Sequence, residues 1–483
     1  MNNIAVISNF IWRFLERCGA QLAGFIVYVV IARILSPEAY GTVALITVVT
    51  AILQVFVDSS FGNALIQKKD ADDLDFSSVF FANIAICFVL YVGLYFAAPF
   101  IADFYKNAEL TPYIRVLGIT VLVSGLKNVQ QAYVSRNMMF KKFFFSTLGG
   151  TVAAGAAGII MALNGFGVWA LVVQQVTNLS IDTVILWITV KWRPKKMFSF
   201  SRLKGLFGYG WKLLASALID AGYRELRSLI IGKLYSSADL AYYNKGQKFP
   251  DLIVTNINTS IDSVLLPVMS DAQENRKHIK KMTGKSILIS TYIMAPLMIG
   301  LFVLAEPVVR LLLTEKWLPC VLFLRFFCIS YMFYPINTAN LNAIKALGRS
   351  DIFLKLEIVK KIIGLILLLS TMFISVEAMA YSLLVSMILS QMINAFPNKK
   401  LLGYSYPEQL KDILPSILLA VFMGLCVYPI VFIGLSDILT IIIQVILGAA
   451  IYIGGSRILK LKAFYYFCGI LKSFISRKKG SRK

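Results

Sequence analysis

Arginines set at helical spacing inside apolar stretches are the residues of this chain best placed to do chemistry. Arg13, Arg17 and Gln21 fall at i, i+4 and i+8 on one helical face, with Glu16 three residues beyond Arg13. Asp220, Arg224 and Arg227 fall at i, i+4 and i+7 in a second stretch, with Glu225 beside them. Arg115 and Arg325 stand singly in two others. A guanidinium offers a rigid fork of donors that fits a carboxylate or phosphate bidentately. The predicted chemistry is therefore recognition of an anionic group at Arg17, Arg224, Arg227, Arg115 and Arg325. Acids inside apolar stretches, namely Asp220, Glu16, Asp182 and Asp262, are candidates for gating or coupling.

Each reading has a structural alternative. Arg13 and Arg17 lie one or two turns from the start of their stretch and can snorkel to headgroups, as can Arg115 and Arg325. Asp220 with Arg224 can be an ion pair that fixes helix packing. The amide stripes Gln174–Asn178, Asn256–Asn258 and Asn337–Asn340–Asn342 suit contacts between helices, and equally a ligand rich in hydroxyls.

The elements that must carry these charges are bilayer-spanning helices. The 483 residues are 58% hydrophobic and only 15% charged, with a mean hydropathy of +0.74. Fourteen apolar stretches of roughly 20 residues run almost end to end, each long enough for a helix to cross a hydrocarbon core. Charge alternates between their connections. The odd gaps hold only Arg33, Lys106, Lys233, Lys245, Lys248, Arg310 and Lys316, while most of the 48 Lys and Arg crowd the even gaps and the tail. Positive residues stay on the cytoplasmic side, so an even number of spans places both termini in the cytoplasm. The fold class expected is an all-α polytopic membrane protein of 14 transmembrane helices.

Several functions are excluded by what is missing. No gap exceeds about 20 residues, too short for a soluble catalytic domain. A net charge of +23 would suggest nucleic acid in a soluble protein, but here it is spread over cytoplasmic loops and matches anionic headgroups, so no nucleic-acid partner is expected. The six cysteines have no metal-ligand spacing, and the one histidine, His278, sits in a basic loop. No metal, cofactor or catalytic residue is expected, and the protein is expected not to be an enzyme. Met1–Phe10 lacks the basic start of a cleavable signal, so the first span is expected to be retained.

The chain also repeats itself. Ile31–Ser36 (IARILS) matches Ile231–Ser236 (IGKLYS), Tyr113–Ile119 matches Phe323–Ile329, and Arg136 with Phe140 and Lys142 matches Arg349 with Phe353 and Lys355. Six spans per copy is an even number, so the repeat is parallel, with a substrate site expected between the halves. The organisation expected is 1–205 for the N-terminal lobe (spans 1–6) and 206–400 for the C-terminal lobe (spans 7–12). Spans 13–14 occupy 401–460 and a basic cytoplasmic tail 461–483. Gly150, Ala154 and Gly158 form a small-xxx-small stripe that predicts close helix packing in span 5. Ser199–Lys212, basic and aromatic, reads either as an amphipathic surface segment or as a solvated linker between the halves.

Ala32-Arg33-Ile34-Leu35-Ser36-Pro37-Glu38-Ala39-Tyr40-Gly41 resembles a turn motif of Wzx-type (WzxC-like) polysaccharide flippases of the multidrug/oligosaccharidyl-lipid/polysaccharide exporter superfamily. Gly62–Lys69 (GNALIQKK), Tyr243-Asn244-Lys245-Gly246-Gln247 and Glu315-Lys316-Trp317 fit the same group, in the same order. The resemblance implies two six-helix lobes in a V plus two C-terminal helices. It implies movement of undecaprenyl-diphosphate-linked oligosaccharide units, precursors of O-antigen, capsule or exopolysaccharide, from the inner to the outer leaflet of the bacterial inner membrane by alternating access. Membrane lipids and other polysaccharide assembly proteins are the partners it implies, around a monomer. Two alternatives stand beside it. A cation-coupled multidrug antiporter of the same superfamily would require solitary deep acids. A membrane glycosyltransferase or polymerase would require a large outer loop. The sequence offers little of either.

Overall fold

The computed structural model describes residues 3–59, 62–68 and 70–469, with side chains from residue 19 onward except at 59, 63, 67, 209, 210, 212, 213, 260, 263 and 264. It is helical throughout, with no strand among the described residues. The helices are α1 Asn3–Ile34, α2 Pro37–Ser59, α3 Gly62–Gln67, α4 Asp73–Phe104, α5 Leu110–Arg136, α6 Phe140–Leu163, α7 Val168–Thr189, α8 Phe200–Leu234 and α9 Ser237–Asp271. They continue with α10 Arg276–Val303, α11 Ala305–Leu313, α12 Cys320–Met332, α13 Tyr334–Ala346, α14 Ser350–Thr371, α15 Val376–Leu402, α16 Tyr406–Val427 and α17 Asp437–Ile458. Ten stretches among the described residues are long and apolar enough to cross a bilayer, which makes this a multi-pass membrane protein. Outside those ten fall the long helices α8, α9 and α14, and α1, of which Gly19–Ile34 is a shorter apolar stretch.

The chain divides into two compact units, Met1–Ala241 and Tyr242–Lys483. In the first, small residues let helices meet closely. A β-carbon at Gly150 would lie 2.7 Å from the Asn178 carbonyl, and one at Gly158 would lie 2.9 Å from Ile31 and 3.1 Å from Gln174. The predicted stripe on α6 thus packs against α7 and α1 together. Helix α4 starts on a capping box, in which the Asp75 amide donates to Asp72 (2.9 Å) and the Asp72 amide donates to Asp75 (3.2 Å). The Asp75 amide holds the Asp72 carboxyl below its usual range. Around this start gather Lys68 (2.6 Å to Asp75), Lys195 (2.5 Å to Asp73) and Arg202 (3.4 Å to Asp75). Beside them Phe76, Phe80, Tyr133 and Trp192 form an aromatic cluster.

That cluster fixes the segment between the two repeats. The Lys195 amide donates to Ser77 Oγ (3.0 Å) and the Ser199 amide to Ser78 Oγ (2.9 Å). From Ser199, whose hydroxyl caps the Arg202 amide (3.4 Å), α8 runs unbroken through Ser199–Lys212 into the predicted seventh span. The basic, aromatic stretch is therefore the first turns of a 35-residue helix and not a loop. Helix α8 packs on α2 and α4 of the first unit.

In the second unit α10 is central, touching α12, α13 and α16. The last helix, α17, is tied to it by polar bonds: Tyr292 donates to Ser456 Oγ (3.0 Å) and Tyr452 donates to the Tyr292 carbonyl (2.9 Å). The tenth predicted span is two helices, broken at Phe333. Pro335 stands in the first turn of α13, where a missing N–H costs nothing. Asn340, fully buried, joins three helices: it donates to Gln409 (2.8 Å) and accepts from Asn398 (2.7 Å). Asn340→Leu leaves two buried amides short of a partner, so a loss of about 2–4 kcal/mol is expected, read as a lower unfolding temperature of the purified protein.

Candidate functional site

The repeat survives in the turns. Leu35 N–H bonds to Ile31 O and Tyr235 N–H to Ile231 O, both at 2.9 Å; the next helix then restarts at Pro37 and at Ser237. Gly41 on α2 touches Ser237: a β-carbon there would overlap the Ser237 carbonyl. The Lys233 ammonium lies 4.2 Å over the Phe104 ring and donates to the Phe104 carbonyl.

The repeat survives in two side chains as well. Arg115 Nε donates to the Tyr95 carbonyl (3.3 Å) and its guanidinium lies 4.2 Å over the Tyr95 ring. Arg325 Nε donates to the Phe302 carbonyl (3.4 Å) and its guanidinium lies 5.5 Å over the Phe302 ring. Each half-buried arginine thus clasps the C-terminal third of the preceding long helix, a contact that joins cation–π attraction to a hydrogen bond. The third repeat pair diverges. Arg136 donates to the Leu65 (2.9 Å) and Lys68 carbonyls, closing the C-terminus of α3, whereas Arg349 pairs with Asp351 (2.8 Å).

The charges of α8 lie in the middle of that helix. Asp220 and Arg224 are exposed, while Glu225 and Arg227 are half-buried. At 1.5 Å per residue the 35-residue helix is about 52 Å long, well beyond the thickness of a hydrocarbon core, about 30 Å. Arg17 and Glu16 belong to the part of α1 whose side chains lie outside the described residues.

Sequence spacing missed a buried group on α2, α5 and α7. Lys127 Nζ stands 2.5 Å from Asp182 Oδ2, their side chains only 13% and 6% exposed. Asn128 and Gln54 donate to Asp58 Oδ1 at 3.5 and 3.2 Å. Lys127 was visible as a lone basic residue inside an apolar span; its partner, 55 residues away, was not. Two of the four acids considered for gating or coupling are thus engaged: Asp182 by an ammonium, and Asp262 by the Asn342 amide (2.8 Å). Two of the sequence motifs also meet. The buried Lys245 ammonium lies 4.9 Å over the Trp317 ring, Gln247 donates to Tyr331 (2.8 Å), and Gly246 faces the Cys320 carbonyl. Next to Trp317, Thr314 takes φ +83°, which a β-branched residue adopts only when its surroundings impose it. These motifs are packing devices.

Residues 30–322 match the family described as "Polysaccharide biosynthesis protein". The chain belongs to that family. Its curated relatives include the succinoglycan biosynthesis transport protein ExoT of Rhizobium meliloti, 24% identical over 66% of this chain and 64% of the relative. The teichuronic acid biosynthesis protein TuaB of Bacillus subtilis is 27% identical over 63% of each. The lipopolysaccharide biosynthesis protein WzxC of Escherichia coli is 21% identical over 70% of this chain and 69% of that one. The chain thus spans less than two thirds of the length of ExoT and of TuaB. Among solved structures, the lipid II flippase MurJ in an inward closed conformation superposes with a TM-score of 0.74 at 17% identity, over 93% of this chain and 98% of that one. An inward-facing MATE multidrug transporter of the MOP superfamily gives 0.63 at 15%, over 80% and 94%. The chain therefore shares the helical fold of these two structures.

Proposed function

We propose that this protein is a flippase that carries undecaprenyl-diphosphate-linked oligosaccharide units from the inner to the outer leaflet of the bacterial inner membrane by alternating access. In this reading fourteen spans place both termini in the cytoplasm, with two six-span lobes, 1–205 and 206–400, around the path. The observation that carries it is α8, a bilayer-length helix with exposed Asp220 and Arg224 and half-buried Arg227 at its middle, in a chain of this family. A diphosphate cannot enter hydrocarbon bare, because desolvating an ion costs several kcal/mol even after relaxation. Guanidiniums on α8, with Arg17, replace its water, and the polyprenyl tail stays in lipid. Arg115 and Arg325 receive the headgroup toward the outer side. The engaged state of Asp182 and Asp262 weighs against the cation antiporter.

The test is a gene deletion followed by lipid extraction. An undecaprenyl-diphosphate-linked oligosaccharide should accumulate as surface polymer is lost, and the wild-type gene should reverse both. Arg224→Ala with Arg227→Ala, present in the membrane at normal level, is expected to restore less than about a tenth of export, as loss of two charge-assisted contacts of 1.5–3 kcal/mol each implies. Full restoration by that variant removes α8 from the path. Unchanged lipid intermediates in the deletion strain overturn the function.

A further inference from the structure

We propose that the second unit holds a specific site for an anionic phospholipid bearing two phosphates, a cardiolipin-class lipid, where the beginnings of α10 and α16 meet the end of α17. The inference goes beyond the transport reading; it rests on the placement of the Lys-rich gaps at the cytoplasmic leaflet.

A cavity of about 1290 Å³ opens there. One side is cationic: Lys277, Lys280, Lys281 and Lys285 come from the first three turns of α10, Lys411 from α16, and Lys460 and Lys462 from just after α17. Lys277, Lys281, Lys285 and Leu288 follow at i, i+4, i+8 and i+11, a single helical face that passes from charge to hydrocarbon. Further along α16 and α17 the lining is apolar, with Leu414, Leu418, Phe422 and Ile458; Leu418 and Phe422 are 58% and 57% exposed. The division into a charged rim and an oily wall is that of a lipid, phosphates at one end and acyl chains along α16.

Charge makes the argument for an occupant. Against these lysines stands a single lining carboxylate, Asp412, and it accepts the Tyr404 hydroxyl at 2.7 Å. Helix α10 has no acidic residue in its first turn, so four ammoniums gather at the end of a helix that is already positive. Like charges so placed repel unless an anion sits among them. Residues 470–483 add Lys472, Arg477, Lys478, Lys479, Arg482 and Lys483 and no acidic side chain. Two of the rim ammoniums are oriented: Lys280 lies 5.6 Å over the Tyr404 ring and Lys285 5.0 Å over the Tyr466 ring. Gly284, between them on α10, also lines the cavity, and a β-carbon there would stand 3.5 Å from the Tyr404 hydroxyl. Basic pockets between helices on the cytoplasmic side bind headgroups of this kind.

The full-length protein, purified in a mild nonionic detergent, is titrated with cardiolipin and, at equal phosphate, with phosphatidylglycerol, and the unfolding temperature is followed. Cardiolipin should stabilise at lower concentration. The triple variant Lys281→Gln, Lys285→Gln, Lys411→Gln should bind about a hundredfold more weakly, on the scale of one lysine's attraction to an anionic lipid taken three times. An equal loss of charge elsewhere, Lys191→Gln with Lys196→Gln and Lys204→Gln, should leave binding unchanged. Should the triple variant not fold, Lys285→Gln alone should still weaken binding several-fold. Equal weakening by the control variant, or equal response to both lipids, overturns the site. Displacement of cardiolipin by a lower concentration of undecaprenyl diphosphate also overturns it, by making the cavity part of the transport path.

Discussion

Asp182→Leu is expected to destabilise the protein by about 3–5 kcal/mol, because it removes the carboxylate that stands 2.5 Å from the buried Lys127 ammonium. Lys127→Met should cost a similar amount from the other side, since Asp182 Oδ1 already has no hydrogen-bond donor among the described residues. The informative measurement is the double variant. Lys127→Met with Asp182→Leu removes both charges, and replacing a buried pair by apolar groups of similar volume is often neutral. Unfolding temperatures of the four proteins in one detergent form a double-mutant cycle. A double variant close to wild type marks the pair as a packing element. A stable double variant that has lost transport makes the pair a working part of the first unit.

The second large effect lies at a glycine. Gly41→Ala puts a methyl group on the Ser237 carbonyl, which is backbone and cannot swing aside, so α2 and the first turn of α9 must separate. The expected cost is at the top of the usual overpacking range of about 1–3 kcal/mol. Gly93→Ala is the matched comparison. Gly93 is exposed on α4 with nothing within 4 Å of an added β-carbon, so the better helix propensity of alanine should stabilise by up to about 1 kcal/mol. Opposite signs are expected from the same chemical change, and equal signs in thermal unfolding would contradict the contact at Gly41.

Hydropathy made the long apolar helices legible, because a spanning helix must satisfy its own backbone and so leaves a continuous apolar run. Proline made the break before α13 legible in principle, yet a run of apolar residues across Phe333 concealed it. Ser199–Lys212 misled because its lysines and aromatics suit a surface loop, whereas the Ser199 cap and the anchoring by Ser77 and Ser78 start a helix there. The pairing of Arg115 with Arg325 was readable from the repeat, but not what each does locally. Their ring partners precede them by 20 and 23 residues, and neither spacing is a helical period. Lys127 with Asp182 illustrates the same limit: spacing finds neighbours on one helix, and this contact joins two.

Helix α8 opens the second repeat by sequence but packs on helices of the first. A ribosome that has delivered residue 205 to the membrane has therefore not yet delivered a complete first unit. The groove on α2 and α4 waits for residues up to Ala241, which arrive roughly 2–7 s later at ordinary synthesis rates. During that interval α2 exposes the surface around Gly41 with no partner, and the arrival of Ser237 at the start of α9 closes it. Completion of the first unit thus waits for the opening helix of the second repeat.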